Sequence, residues 1–123
     1  VVMADILDIT LTIKRNGQLV SGFPRQYRQL VDEVQQFAYE KATGGGHETL
    51  PTTQIAALQV LALTADQALT IRLDGQSDAG ISLNANGLLL IIDGTIDAGA
   101  STNATIDNSS GSTAAVQGIG GGT

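Results

Sequence analysis

A short apolar run followed by a Gly/Asp turn occurs twice in this chain in nearly the same words. Asp74-Gly-Gln-Ser-Asp-Ala-Gly-Ile-Ser-Leu-Asn-Ala-Asn86 returns nineteen residues later as Asp93-Gly-Thr-Ile-Asp-Ala-Gly-Ala-Ser-Thr-Asn-Ala-Thr105, with eight of thirteen positions identical. One copy follows Leu69-Thr-Ile-Arg-Leu73 and the other Leu88-Leu-Leu-Ile-Ile92. Runs this short are strand-sized, and Asp-Gly closes tight turns because Gly accepts positive φ and Asp bonds its own backbone. The chain is therefore expected to be built from short strands, and the two copies read as equivalent turns.

Other segments agree. Ile9-Thr-Leu-Thr-Ile-Lys14 alternates apolar with polar, the period of a half-buried strand. Asn16-Gly17 follows, a strong signal for a type I′ hairpin, with Leu19-Val20 starting the return strand. Strands are also expected at 57–63, 68–73, 80–84 and 88–92, the last two separated by Ala85-Asn-Gly87. Leu88–Ile92 is apolar on both parities, so it should be buried on both faces or covered by a neighbouring subunit. Gly44-Gly-Gly-His-Glu-Thr49 reads as a loop, and Asn108-Ser-Ser-Gly-Ser112 as a turn within a weakly alternating 104–119.

Residues 24–42 are the exception. Tyr27, Leu30, Val31, Val34, Phe37, Ala38 and Lys41 recur at helical spacing, after Pro24 and before Gly44. A helix is expected there, with a strand over 34–41 as the competing reading. The fold class is thus mainly β: an antiparallel β-sandwich, jelly-roll-like, with one helix near residues 24–42. At 123 residues the chain makes one domain, read as 1–117 with an N-terminal hairpin, and 118–123, Gly-Ile-Gly-Gly-Gly-Thr, as a flexible tail.

Chemistry has few candidates. Without cysteine there is no disulfide, thiolate site or thiol nucleophile. Asp74, Asp78, Asp93 and Asp97 are the weak candidates for a metal site, since carboxylates four apart can converge on one ion. A calcium loop of the EF-hand type needs Gly at its sixth position and Glu at its twelfth. Here those are Ala79 and Ala85, or Ala98 and Ala104. The turn reading therefore prevails over the metal. His47, the single histidine, lies on a triple-Gly segment and reads as solvated rather than catalytic. Asn103-Ala-Thr105 and Asn108-Ser-Ser110 are formal glycosylation sequons of a kind common in such loops. No catalytic residue and no cofactor is expected.

Charge is uneven. The net charge is −6, yet five of six cations fall within the first 41 residues. Beyond them Arg72 alone faces seven acids, a composition that repels phosphate backbones, so nucleic acid is not an expected partner. The first residues lack the pattern of a signal peptide, and no apolar run approaches the length of a membrane helix. All four aromatics, Phe23, Tyr27, Phe37 and Tyr39, lie between 23 and 39. They are the sole platform a carbohydrate-binding module could use here, and that is the alternative from another functional class.

Gly44-Gly-Gly-His-Glu-Thr-Leu-Pro-Thr-Thr-Gln54, Ala65-Asp-Gln-Ala-Leu-Thr-Ile-Arg-Leu-Asp-Gly75, Ile81-Ser-Leu-Asn-Ala-Asn-Gly-Leu-Leu-Leu90 and Asn108-Ser-Ser-Gly-Ser-Thr-Ala-Ala-Val-Gln-Gly-Ile119 together carry a resemblance. In style and segment order over residues 45–123 the chain is similar to small structural proteins of tailed-bacteriophage virions. The resemblance implies a β-sandwich that self-associates, with a trimer favoured, on the virion after synthesis in the host cytoplasm. It implies a capsid decoration (cement) protein bound to the major capsid protein or another virion protein, or else a tail, baseplate or fibre component. It brings no catalytic residues. The basic N-terminal part is then expected to contact an acidic capsid surface, while apolar strand faces bury against sister subunits.

Overall fold

The computed structural model describes residues 5–52, 55, 57–73, 79–94 and 104–123, and every regular element among them is a strand. In order these are β1 (Asp5–Leu11), β2 (Lys14–Arg15), β3 (Gln18–Leu19), β4 (Arg25–Val31), β5 (Glu33–Lys41) and β6 (Gly44–Thr49). There follow β7 (Leu58–Ala65), β8 (Leu69–Arg72), β9 (Ile81–Leu83), β10 (Leu88–Ile91), β11 (Thr105–Asn108) and β12 (Ala114–Gly122). Two four-stranded sheets result, ordered β10-β7-β12-β5 and β6-β11-β8-β9, with antiparallel pairing throughout. The chain is mainly β and sandwich-like, as its turn-punctuated apolar runs indicate.

Strand alternation builds the core. In β7, Leu61, Leu63 and Ala65 turn inward to join Leu69 and Ile71 of β8, Ile106 of β11 and Val116 of β12. Leu50, Ile55 and Leu58 close one end of the cluster without solvent contact. Each such side chain contributes roughly 2 kcal/mol relative to an exposed one. Asn16 and Gly17 both hold positive φ, as the β2–β3 hairpin requires.

The helix expected over 24–42 does not form. Those residues make β4, paired with β1 from Asp5↔Val31 to Leu11↔Arg25, and β5, paired with β12 from Ala114↔Lys41 to Gly122↔Glu33. Two alternating strands broken at Asp32 happen to place apolar residues at helical spacing. Their true period is two: Phe37, Tyr39 and Lys41 point inward, while Leu30 stands 66% exposed. Ladder bonds from distant segments override a local preference of this size.

Residues 118–122 are not a tail. They are the last half of β12, the strand between β7 and β5, bonded on both sides. Glycine is what lets them sit there. A Cβ at Gly118 would come within 2.4 Å of the Ala62 carbonyl oxygen and 2.5 Å of the Phe37 ring. The segment 44–49, read as a loop, is likewise a strand, because β11 supplies its backbone partners.

The repeated Asp-Gly segments are not equivalent turns either. The first connects β8 to β9, neighbours in one sheet; the second leads from β10 in one sheet to β11 in the other. Their central residues, 74–78 and 95–103, lie outside the described residues.

Candidate interaction surface

Outward-facing positions of β10, β7 and β12 define the first half of the site; on β5, at the other edge of the sheet, the same face carries the exposed Glu40. Val60 and Ala62 of β7, Leu88 and Leu90 of β10 and Gln117 and Ile119 of β12 point away from the sandwich core, and none is charged. A sheet face meant only for water would alternate to polar residues here. Depletion of charge is instead what the centre of an interface shows.

The second half is the hairpin arm. Its base is tied down: Val31 is buried, Asp32 N donates to the Gly122 carbonyl at 2.9 Å, and Val31 and Leu7 lie over Gly121. β1 then runs across the outer face and leaves a slot of about 390 Å³ between itself and β7, β10 and β12. Ile6, Ile9 and Leu11 line it from the arm, and Leu88 and Leu90 from the sheet. Beyond Leu11 the arm has no cover among the described residues. Every residue from Thr12 to Gly22 is exposed, Ile13, Leu19 and Val20 included.

Charge divides along the same line. The arm, residues 5–31, carries Lys14, Arg15, Arg25 and Arg28 against Asp5 and Asp8. The rest of the chain carries Lys41 and Arg72 against ten carboxylates. Within the arm, Arg28 Nε donates to Asp8 Oδ1 at 3.2 Å, and the Arg25 guanidinium lies 5.5 Å from the Tyr27 ring centre. Both of those cations thus have partners within the β1–β4 ladder, whereas Lys14 and Arg15 sit at the arm's tip.

The polar groups inside the sandwich hold the fold. Asn108 is fully buried; its Nδ2 donates to the carbonyls of Lys41 (3.0 Å) and Ser112 (2.8 Å), and its Oδ1 accepts from the Ser110 amide and hydroxyl. Lys41 Nζ donates to Glu48 Oε2 at 2.6 Å. Burial, and then the Glu48 carboxylate, push the neighbouring Tyr39 phenol up to about 12. Arg72 pairs with Asp107 across the β8–β11 ladder. Asn108, Lys41 and Arg72 bond other groups of the sandwich, the Tyr39 hydroxyl bonds none, and among the described residues they form no cleft lined by an acid, a base and a nucleophile.

Of the metal candidates, Asp93 is exposed in a left-handed turn residue just past β10, with φ 55°. Asp74, Asp78 and Asp97 lie outside the described residues, as does the side chain of His47. Among the described residues no three His, Cys, Asp or Glu side chains gather where they could hold an ion. The aromatics do not form one platform: Tyr27 is on the arm, while Phe37 and Tyr39 face the core with ring centres 6.3 Å apart. The uncharged outer face had one visible trace in the sequence, the two apolar parities of Leu88–Ile92. The structure rejects burial on both faces, since Leu88 is 60% exposed on an edge strand. Compared with protein-family models, curated proteins and solved structures, the chain finds no match.

Proposed function

We propose that this chain is a structural protein of a tailed-phage virion, acting as a capsid decoration (cement) protein. It works by adhesion: copies associate with one another, three being the favoured number, and bind between major capsid subunits. The observation that carries the reading is the uncharged outer face of β10, β7 and β12, which leaves Leu88 and the slot beside it without a partner among the described residues. The likeness of segment order over 45–123 supports the virion context. No covalent step and no cofactor enters this mechanism.

Cosedimentation with capsids stripped of their decoration tests it. Saturable binding at a fixed ratio to the major capsid protein is the expected result. Finding the protein monomeric and without affinity for capsids would sink the proposal, and locating it at the tail or baseplate by electron microscopy would replace the cement role with a tail one.

A further inference from the structure

We infer that the arm tip of one copy docks on the β10 edge of a second copy, so that association runs head to tail. The inference rests on the self-association proposed above and names the surfaces that carry it.

Among the described residues, the tip ribbon has nothing to pack on. Its ladder has two pairs, Lys14↔Leu19 and Arg15↔Gln18, and the bond from Val20 N to the Ile13 carbonyl extends it by one. Isolated two-stranded ribbons are marginal in water. This one nevertheless presents Leu19, 55% exposed, beside Lys14 on one side, and Ile13 with Val20 beside Arg15 on the other. Each side therefore offers apolar surface and a cation together.

The β10 edge offers the complement. β10 is terminal in its sheet, with no strand on its outer side among the described residues. Its Leu88 is exposed and its Leu90 lines the slot. One carboxylate, Asp93, stands exposed at an end of this edge, just past Ile91. At the other end Asp66 turns to the far side of β7, where its Oδ1 accepts from the Ala115 amide of β12 at 2.7 Å. Apolar surface beside a carboxylate matches apolar surface beside cations, and both belong to one chain. The body's ten carboxylates against two cations extend the attraction beyond the contact itself. A patch meeting a different patch is a heterologous contact, which closes into a ring when the rotation permits. A ring of three satisfies every tip and every edge. In this arrangement the tip cations contact a sister subunit rather than the capsid.

Because the chain contains no cysteine, disulfide trapping reads the contact directly. Leu19→Cys and Leu88→Cys alter exposed side chains and leave the core intact. Mixed and oxidised, the two variants are expected to give a disulfide-linked dimer, with much less from either variant alone. K14E/R15E is expected to weaken wild-type association roughly tenfold at low salt, and 0.5 M salt to do the same. Dimer from Leu19→Cys alone at the mixed yield would mean a tip-to-tip contact and overturn the inference. An oligomeric wild type with no trapped dimer in the mixture would also overturn it, while leaving the cement proposal standing on its capsid assay. A monomeric wild type at working concentrations overturns the inference together with the self-association it rests on.

Discussion

Replacing Gly118 by alanine is expected to destabilise the fold by about 3 kcal/mol or more. The added Cβ meets the Ala62 carbonyl oxygen at 2.4 Å and the Phe37 ring at 2.5 Å. Overpacking typically costs about 1–3 kcal/mol when neighbours can give way. Neither neighbour can here. Ala62 is backbone within the β7–β12 ladder, where Gly118 pairs with Leu63, and Phe37 belongs to the buried cluster. Relief requires opening the ladder, at about 1 kcal/mol for each bond lost, which puts the substitution at the top of that range or beyond it. For a chain of 123 residues, 1 kcal/mol corresponds to a Tm shift of about 4 °C, so a fall of at least about 12 °C is expected. The control is Gly44→Ala, at an exposed position with nothing within 4 Å of the added atom. It should stay within about 0.5 kcal/mol or stabilise slightly through the unfolded chain. Guanidinium unfolding followed by far-UV circular dichroism measures both. Adding Phe37→Leu to Gly118→Ala should recover part of the loss, because it relieves the ring contact and not the carbonyl. A Gly118→Ala protein as stable as its parent would show that β12 does not run in this register.

Asn108→Ala leaves the Lys41 carbonyl short of a donor in a buried place and takes one donor from the Ser112 carbonyl, which keeps Ser110 Oγ; it should lower urea-unfolding stability by about 1–3 kcal/mol. Asp107→Ala removes the carboxylate from Arg72 in a largely buried pair; a loss of about 3 kcal/mol in the same assay is expected. For Tyr39 the folded phenol titrates at about 12 against 10.0 unfolded. The unfolded chain therefore loses its proton first, so the contribution is intact below pH 10 and falls away as pH rises from 10 to 12. Unfolding midpoints at pH 9 and 11 should drop further in the parent than in Tyr39→Phe. The Tyr39 hydroxyl is buried without a hydrogen-bond partner among the described residues, so that variant should be no less stable at pH 7.

Elements that declare themselves by local chemistry were legible. The Asn16-Gly17 hairpin, β7, β8, β9 and β10 all follow from alternation and turn residues, because each is bounded by its own punctuation. Elements defined by distant partners were not. β12 alternates as far as Val116 and then turns to glycine, which has no side chain to show a face; its place between β7 and β5 depends on how closely their backbones approach. β4 and β5 mimic a helix because Leu30, exposed, and Val31, buried, are adjacent apolar residues on opposite faces. Hydropathy cannot tell such a pair from two residues on one helical stripe. The repeat misled in another way: identical turn residues suit a hairpin and a sheet-to-sheet crossing equally well.

The interaction surface was half legible for a related reason. An apolar residue on each parity of Leu88–Ile91 means that both sides of β10 seek burial, but alternation does not say what will cover the second side. Sheet order decides that. β7 has two edges; β12 takes one with a match from Val116↔Ala65 to Gly122↔Leu58, and β10 takes the other with four pairs, from Leu88↔Thr64 to Ile91↔Leu61. Because the last strand of the chain claims the middle of the sheet, β10 is left at its rim, and no further strand among the described residues lies outside it. Leu89 and Ile91 then serve the core, while Leu88 and Leu90 serve nothing in the core of the same copy. The same holds for Ile13, Leu19 and Val20, which the arm carries clear of the body. Two sets of apolar side chains that the fold does not use, one flanked by cations and the other beside Asp93 on an acidic body, are most economically read as halves of one contact between copies.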